Sequence, residues 1–270
     1  MVRDRGLRTW PLRRSVLVTL TKNGAIVLAI WSTVGLLYVW LLDDGPVGDA
    51  DRRGVEWLEE RRTLTRNSLS HYGSMLSETL VKVILVAVIG TAMVWLWRRW
   101  HDGVFLAVTV IFEATIFLFS SLIVGRERPP VTRLDDAAPT GSFPSGHAAA
   151  AVAFYVSVFV IVCWHTRNRA LRFFFAVVAV AAPVIVAVSR VARGMHHPSD
   201  VIAGVLLGVI SIIVVRSALA AGVEEIDRAA VAGAPLPDQV RRLDLTAASP
   251  DDLDADPDAV PDTSPIGARP

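Results

Sequence analysis

Three short segments of the chain hold residues whose types and spacing could do chemistry. They are Gly125-Arg126-Glu127-Arg128-Pro129, Pro144-Ser145-Gly146-His147, and Ser189-Arg190 followed by His196 and Asp200. Each sits at the rim of a long apolar run, so cations, two histidines and a carboxylate gather beside a bilayer. That inventory suits an oxyanion such as phosphate, with a nucleophile and a proton donor at hand. Arginine offers planar, permanently charged, bidentate donors. Arg128 and Arg190 lead as phosphate ligands. Arg126 lies two residues from Arg128 and points the same way if the segment is extended. Taken singly, any of them is an ordinary interfacial arginine anchoring a helix end. Three of them beside paired histidines argue for a site.

Ser145 is placed to cap a helix. The amides of Gly146 and His147 would then open that helix, and a helix N-terminus binds anions through free amides and its dipole. Gly146 allows close approach of the backbone. His196 precedes Pro198, which suits the first turn of a following helix, and Asp200 falls within that turn. A carboxylate on one imidazole nitrogen fixes the tautomer and makes the other nitrogen a nucleophile. His196 is therefore expected to attack phosphorus and form a phosphohistidine. His147 is expected to protonate the leaving oxygen and then activate water. His197 is expected to take an interfacial or supporting role.

The elements that must hold these residues are legible from composition. The chain has 270 residues, 53% of them hydrophobic, and a mean hydropathy of +0.47, unlike a soluble domain. Residues 24–42, 79–97, 103–124, 147–164, 173–192 and 198–215 are long and apolar enough to span. The expected fold is all-α, a bundle of six transmembrane helices over 24–217. Residues 1–23 read as a cytoplasmic basic N-terminus and 218–270 as a disordered, acidic cytoplasmic tail. The first apolar run is too long for a signal-peptide core, and Leu41-Leu42-Asp43-Asp44 is no small-residue cleavage site. Lys82 lies near the end of its span and can snorkel. Glu113 falls mid-span, where an ionisable group is costly and by default suggests function; nothing in the sequence gives it a role. Cys163 is the single cysteine and has no internal partner.

Arginines in 1–23, at Arg98 and Arg99, and at Arg167, Arg169 and Arg172 fall on one side if the six spans alternate. The positive-inside rule makes that side cytoplasmic, with both termini there and all three motif segments outside. Trp97 and Trp100 fit an interfacial belt. Residues 43–78 form a long external connection in which acids outnumber arginines. Within it Val55 to Glu60 reads either as a short amphipathic helix on the bilayer surface or as a solvated loop. A net charge of +1 excludes a large nucleic-acid footprint. The high Ala, Val and Arg content suits a bacterial plasma membrane. Nothing in the sequence fixes an oligomeric state.

The three segments resemble the type 2 phosphatidic acid phosphatase (PAP2) superfamily, which shares its site with vanadium haloperoxidases. That family shows Lys-x6-Arg-Pro, Pro-Ser-Gly-His and Ser-Arg-x5-His-x3-Asp. The second motif is complete at Pro144 to His147, and the third at Ser189, Arg190, His196 and Asp200. The first is present at Arg128 and Pro129. The resemblance covers 121–200 by motif and roughly 79–217 by architecture. It implies a six-helix core and a phosphatase with no metal or other cofactor. In that reading His196 is the nucleophile, supported by His147 and Asp200, and Arg128, Arg190, Ser145 and Gly146 surround the phosphate. The family lysine falls at Ser121. Arg126 is the candidate replacement, and Ser121 itself offers a neutral hydrogen bond. The expected substrate is a lipid phosphate or diphosphate: polyprenyl diphosphate, phosphatidate or phosphatidylglycerol phosphate. Three other readings compete. One is a lipid phosphotransferase on the same site. Another is a metal-binding transporter using His147, His196, His197 and Asp200, which the surrounding arginines oppose. The last is a catalytically weakened membrane binding protein.

Overall fold

In the lipid interior every backbone N–H and C=O must be satisfied within the protein, which leaves helices as the solution for apolar runs of this length. The computed structural model describes residues 10–137 and 139–231. Among these residues there are eight helices and no strand: α1 Arg14–Leu41, α2 Pro46–Glu59, α3 Leu64–Met75, α4 Thr79–Trp97, α5 Trp100–Val124, α6 Gly146–His165, α7 Arg169–Ala192 and α8 Pro198–Val231. Six of them, all except α2 and α3, are long and apolar enough to cross a membrane. The all-α, six-span expectation holds, and we treat the chain as an integral membrane protein.

The helix α6 occupies the centre, packed against α5, α7 and α8. Its first two turns carry Ala148 to Ala151, all buried, and such small side chains let neighbouring backbones close in. Gly204 and Gly208 on α8 meet that stripe. A Cβ added at Gly208 would stand 2.6 Å from the Ala149 carbonyl oxygen. Helices α1 and α4 lie at the periphery. Their exposed residues, such as Ile30, Leu80 and Val88, form the apolar surface that faces lipid.

Two boundaries differ from the sequence expectation. The first span begins at Arg14 rather than residue 24, and the last runs to Val231 rather than ending near 217. The two extensions support each other. Val16 and Leu20 of α1 pack with Val215, Ala218 and Leu219 of α8, and Arg13 pairs with Glu225 at 3.2 Å. The tail therefore does not begin at 218, because a helical stripe of buried residues continues through Leu219, Val223 and Ile226. Residues 1–9 and 232–270, where the rest of the basic N-terminus and the acidic tail were expected, lie outside the described residues.

Within the connection 43–78, Val55 to Glu59 belongs to a helix, as one of the two readings had it, and not to a solvated loop. Both helices of the connection dock on the bundle. Val55 is 1% exposed and packs with Ala148, Val191 and Val201. Arg62 fastens the connection from its middle: Nε donates to the Ala192 carbonyl at 2.9 Å and Nη1 to the Thr132 carbonyl at 2.7 Å. Gly194, at φ +72°, ends α7 in the left-handed conformation that glycine adopts without strain.

Filling the α6–α8 contact should unfold the bundle first. Gly208→Leu is expected to lose about 1–3 kcal/mol through overpacking, seen as a lowered melting temperature in detergent. Ile213→Leu, on the lipid-facing side of the same helix, should leave the melting temperature unchanged.

Candidate active site

The motif segments meet around one buried guanidinium. Arg126 lies in the loop after α5 and is 2% exposed. It donates from Nη1 to Asp200 Oδ1 at 2.5 Å and to Ser199 Oγ at 2.8 Å. Its Nη2 donates to Asp43 at 2.6 Å and to Asp51 at 3.0 Å, and Nε reaches Asp43 at 3.1 Å. The Tyr38 ring covers it at 4.5 Å, and the Tyr38 hydroxyl donates to Asp51 at 2.7 Å. Burial alone would lower the pKa of Arg126, but the charge of Asp200 and the hydrogen bonds to Asp51, Asp43 and Asp200 raise it overall. Burial would raise Asp51; hydrogen bonds from Ser199, Tyr38 and Arg126 outweigh it and hold the carboxylate below its ordinary value. The expectation that Arg126 replaces the missing lysine as a phosphate ligand is thus corrected, since all three of its nitrogens are engaged by this network.

Asp200 completes the start of α8. Its Oδ2 accepts the His197 amide at 2.9 Å, a carboxylate at the third helical position closing the first turn, and stands 3.3 Å from His197 Nδ1. The expected direct bond from Asp200 to His196 is not formed: His196 Nδ1 is 3.9 Å from Asp200 Oδ2. Instead it lies 2.7 Å from the Ser142 carbonyl oxygen. A carbonyl can only accept, so Nδ1 carries the proton and Nε2 keeps its lone pair. His196 is 4% exposed. Burial, helped by Arg190 and Arg128 and opposed by Asp200, pushes its pKa from 6.5 to about 3. At neutral pH the ring is neutral.

Facing it is the N-terminus of α6. Ser145 occupies the N-cap position but makes no side-chain cap bond, and its buried Oγ has no hydrogen-bond partner. Its amide donates to the Asp200 carbonyl at 2.9 Å, which locks the starts of α6 and α8 together. Gly146 makes room for Phe117, whose ring would lie 2.7 Å from an added Cβ. His147 stands one residue into the helix, its Nε2 3.7 Å from Glu78 Oε2. Arg190 is 6% exposed; its Nη1 reaches Asp135 at 2.9 Å and Ser74 at 2.9 Å, while its buried Nε has no partner. Arg128 is anchored through Nη1 to the Met195 carbonyl at 2.7 Å. Burial and then Arg133 lower its pKa. Beside Arg128 opens a polar cavity of about 510 Å³ lined by Arg128, Arg133, Pro139 and Thr140 among others.

Several participants escaped the sequence reading. Asp135 binds Arg193 through both oxygens, at 2.5 and 2.7 Å, as well as Arg190. Burial would raise it, but the bond from Arg193 and the charges of Arg193 and Arg190 keep it low. Asp43, Asp51, Ser142 and Ser74 also had no spacing signal, because they reach the site from loops or from the docked connection. Ser121, expected to offer a neutral donor, instead gives its hydroxyl to the Gly141 carbonyl at 3.1 Å.

The fold and site define a helical membrane protein in which two histidines and several arginines gather at one end of the spans. Residues 102–222, which hold all three motif segments, match the PAP2 superfamily, the family the motifs resemble. A curated relative, lipid A 1-phosphatase of Rhizobium etli, is 31% identical over 115 residues. The chain spans less than half of that relative: the alignment covers 39% of this chain and 45% of the relative. A transmembrane PAP2-type phosphatidylglycerolphosphate phosphatase from Bacillus subtilis shares the fold, with a TM-score of 0.61 at 22% identity, covering 74% of this chain and 94% of that one.

Two measurements check this geometry. Arg126→Ala leaves three carboxylates unpaired and should cost about 3–5 kcal/mol of stability, read from denaturant unfolding in detergent; a mere phosphate ligand would leave stability intact. Between pH 6.5 and about 3, unfolded His196 binds a proton that the folded ring refuses, so stability is lost as pH falls through this window. The melting temperature should drop between pH 6.5 and about 4.5, above the range where paired carboxylates titrate. His196→Gln should remove its share of that slope and so reduce it.

Proposed function

We propose that the chain hydrolyses a lipid phosphate or diphosphate through a phosphohistidine on His196. The observation that carries this reading is the pairing of a neutral imidazole, its Nδ1–H held by Ser142, with buried, unpartnered donors at Ser145 Oγ and Arg190 Nε. Buried polar groups are nearly always satisfied, so two such donors beside a helix N-terminus fit an incoming oxyanion.

His196 Nε2 attacks phosphorus and the bond to the leaving oxygen breaks. That oxygen takes a proton from His147, which the negative charge of the bound phosphate holds protonated in the complex. Arg190, Arg128, the Ser145 hydroxyl and the first amides of α6 bind the non-bridging oxygens, where fixed positive donors stabilise phosphoryl transfer. Water then gives a proton to His147 and attacks phosphorus. The N–P bond breaks, inorganic phosphate leaves, and His196 is restored. Asp200 acts one step removed: with Arg126 it fixes the turn that carries His196. A metal-carrier reading is disfavoured because Asp200 is already engaged by Arg126 and His197, and arginines line the same space.

The substrate is amphiphilic, with its head group at the rim and its chains in lipid. The cavity beside Arg128 and Arg133 suits a head group carrying further polar or anionic atoms. The relative's name, lipid A 1-phosphatase, is that of a lipid-phosphate phosphatase, which supports the same substrate class. The arginine distribution supports a site on the external face with both termini cytoplasmic, and the chain is assigned to a bacterial plasma membrane.

Phosphate release by the purified protein should be measured with polyprenyl diphosphate, phosphatidate, phosphatidylglycerol phosphate and a soluble ester, with chelator present. Release from a lipid, abolished in His196→Ala and slowed about 10²–10⁴-fold in His147→Ala, is the expected result. A folded protein that releases none would sink the proposal. Transfer to an added alcohol in preference to water would make it a phosphotransferase.

A further inference from the structure

Two ionisable residues inside the spans have no role in the cradle formed by Ser145, Arg190, Arg128 and the start of α6. Lys82 on α4 is 9% exposed and Glu113 on α5 is 1% exposed. Helix α4 is otherwise a lipid-facing helix that buries only Gly90 and Met93 besides Lys82. A lysine turned inward on such a helix, rather than snorkelling to the surface, requires a reason. Both carboxylate oxygens of Glu113 are buried and accept no hydrogen bond, so Lys82 is not bonded to it, although each senses the other's charge.

Helix geometry sets Lys82 and Glu113 at similar depth, about one turn below the cradle, with opposite side-chain tilts. The start of α4 is fastened to His147: Ser77 Oγ donates to the His147 carbonyl at 2.7 Å, and Glu78 Oε2 stands 3.7 Å from His147 Nε2. The Lys82 amide bonds to the Glu78 carbonyl at 2.9 Å, so Lys82 lies one turn below Glu78 on the same face. Side chains tilt toward the N-terminus of their helix, and the N-terminus of α4 is the end beside His147. Lys82 is thus aimed up at the cradle. On α5, Phe117 packs against Gly146 at the start of α6, and Glu113 lies one turn deeper. That helix begins on the opposite membrane face, so Glu113 tilts away from the cradle. The charge of Lys82 is also felt at His147.

We propose that Lys82 supplies the phosphoryl site with the positive charge that residue 121 lacks, and that Glu113 is the counter-charge holding it. The assignment rests on the phosphatase reading above. It explains three facts together: an uncharged Ser121 whose hydroxyl is engaged elsewhere, an inward lysine on a peripheral helix, and a carboxylate without hydrogen bonds whose charge that lysine senses. A flexible ammonium can approach the anion from the membrane side, opposite the rigid arginines.

The test uses the full chain in detergent, with orthovanadate as a phosphoryl mimic and phosphate release from the best lipid as second readout. Lys82→Met should weaken orthovanadate binding about 10- to 100-fold, the range of one charge-assisted hydrogen bond, and lower kcat. Lys82→Arg should retain most of both. The decisive variant is Lys82→Met with Glu113→Gln, which removes the buried charges together and protects folding. It should bind orthovanadate as weakly as Lys82→Met. If it binds and turns over like the wild type, Lys82 merely neutralises Glu113 and the proposal is overturned. A wild-type protein that binds no orthovanadate would overturn the phosphatase reading, and this assignment with it.

Discussion

The architecture of the site depends on one ion cluster, Arg126 among Asp43, Asp51 and Asp200. These carboxylates come from the end of α1, from α2 and from the first turn of α8. A single side chain therefore fixes the distance between the connection 43–78, the loop after α5 and the helix that follows His196. Desolvating four charges is expensive, and such clusters are retained where one arrangement must be specified. Here the specified arrangement is the turn 193–197, which presents His196 to the N-terminus of α6. Asp200 bears on His196 by belonging to this cluster, while the Ser142 carbonyl sets the tautomer of the ring directly.

Around that cluster the protein separates rigid from responsive charge. Arg126, Arg193 and Asp135 are saturated with partners, so they hold shape. Arg190 and Arg128 are anchored at some of their nitrogens, with the unpartnered Nε of Arg190 remaining. Donors preorganised in this way need no rearrangement to meet an anion. The neutral state of His196 follows from the same design, because burial among cations disfavours a further positive charge on the ring.

Much of this was legible in the sequence, and for identifiable reasons. Apolar runs of membrane length located the six spans, since the bilayer constrains length and composition together. The motif residues were legible because their spacing is local: His196 and Asp200 share a helix start, as do Ser145 and His147. The role of Arg126 was misread because a cation beside Arg128 looks the same whether it faces phosphate or three carboxylates distant in sequence. Asp135 and Ser142 carry no periodic signal, and a backbone carbonyl acceptor has no residue type at all. The helical continuation to Val231 could have been seen from the spacing of Val215, Leu219, Val223 and Ile226, but the charges between them read as a tail.

Arg62 grips the loop after α5 and the end of α7 through the carbonyl oxygens of Thr132 and Ala192. Every residue type offers the same carbonyl, so the fastening is blind to the side chains it holds. Substitutions at Arg133, Pro139 and Thr140, which line the polar cavity, can therefore leave that attachment in place, so long as Asp135 between them keeps its hold on Arg190 and Arg193.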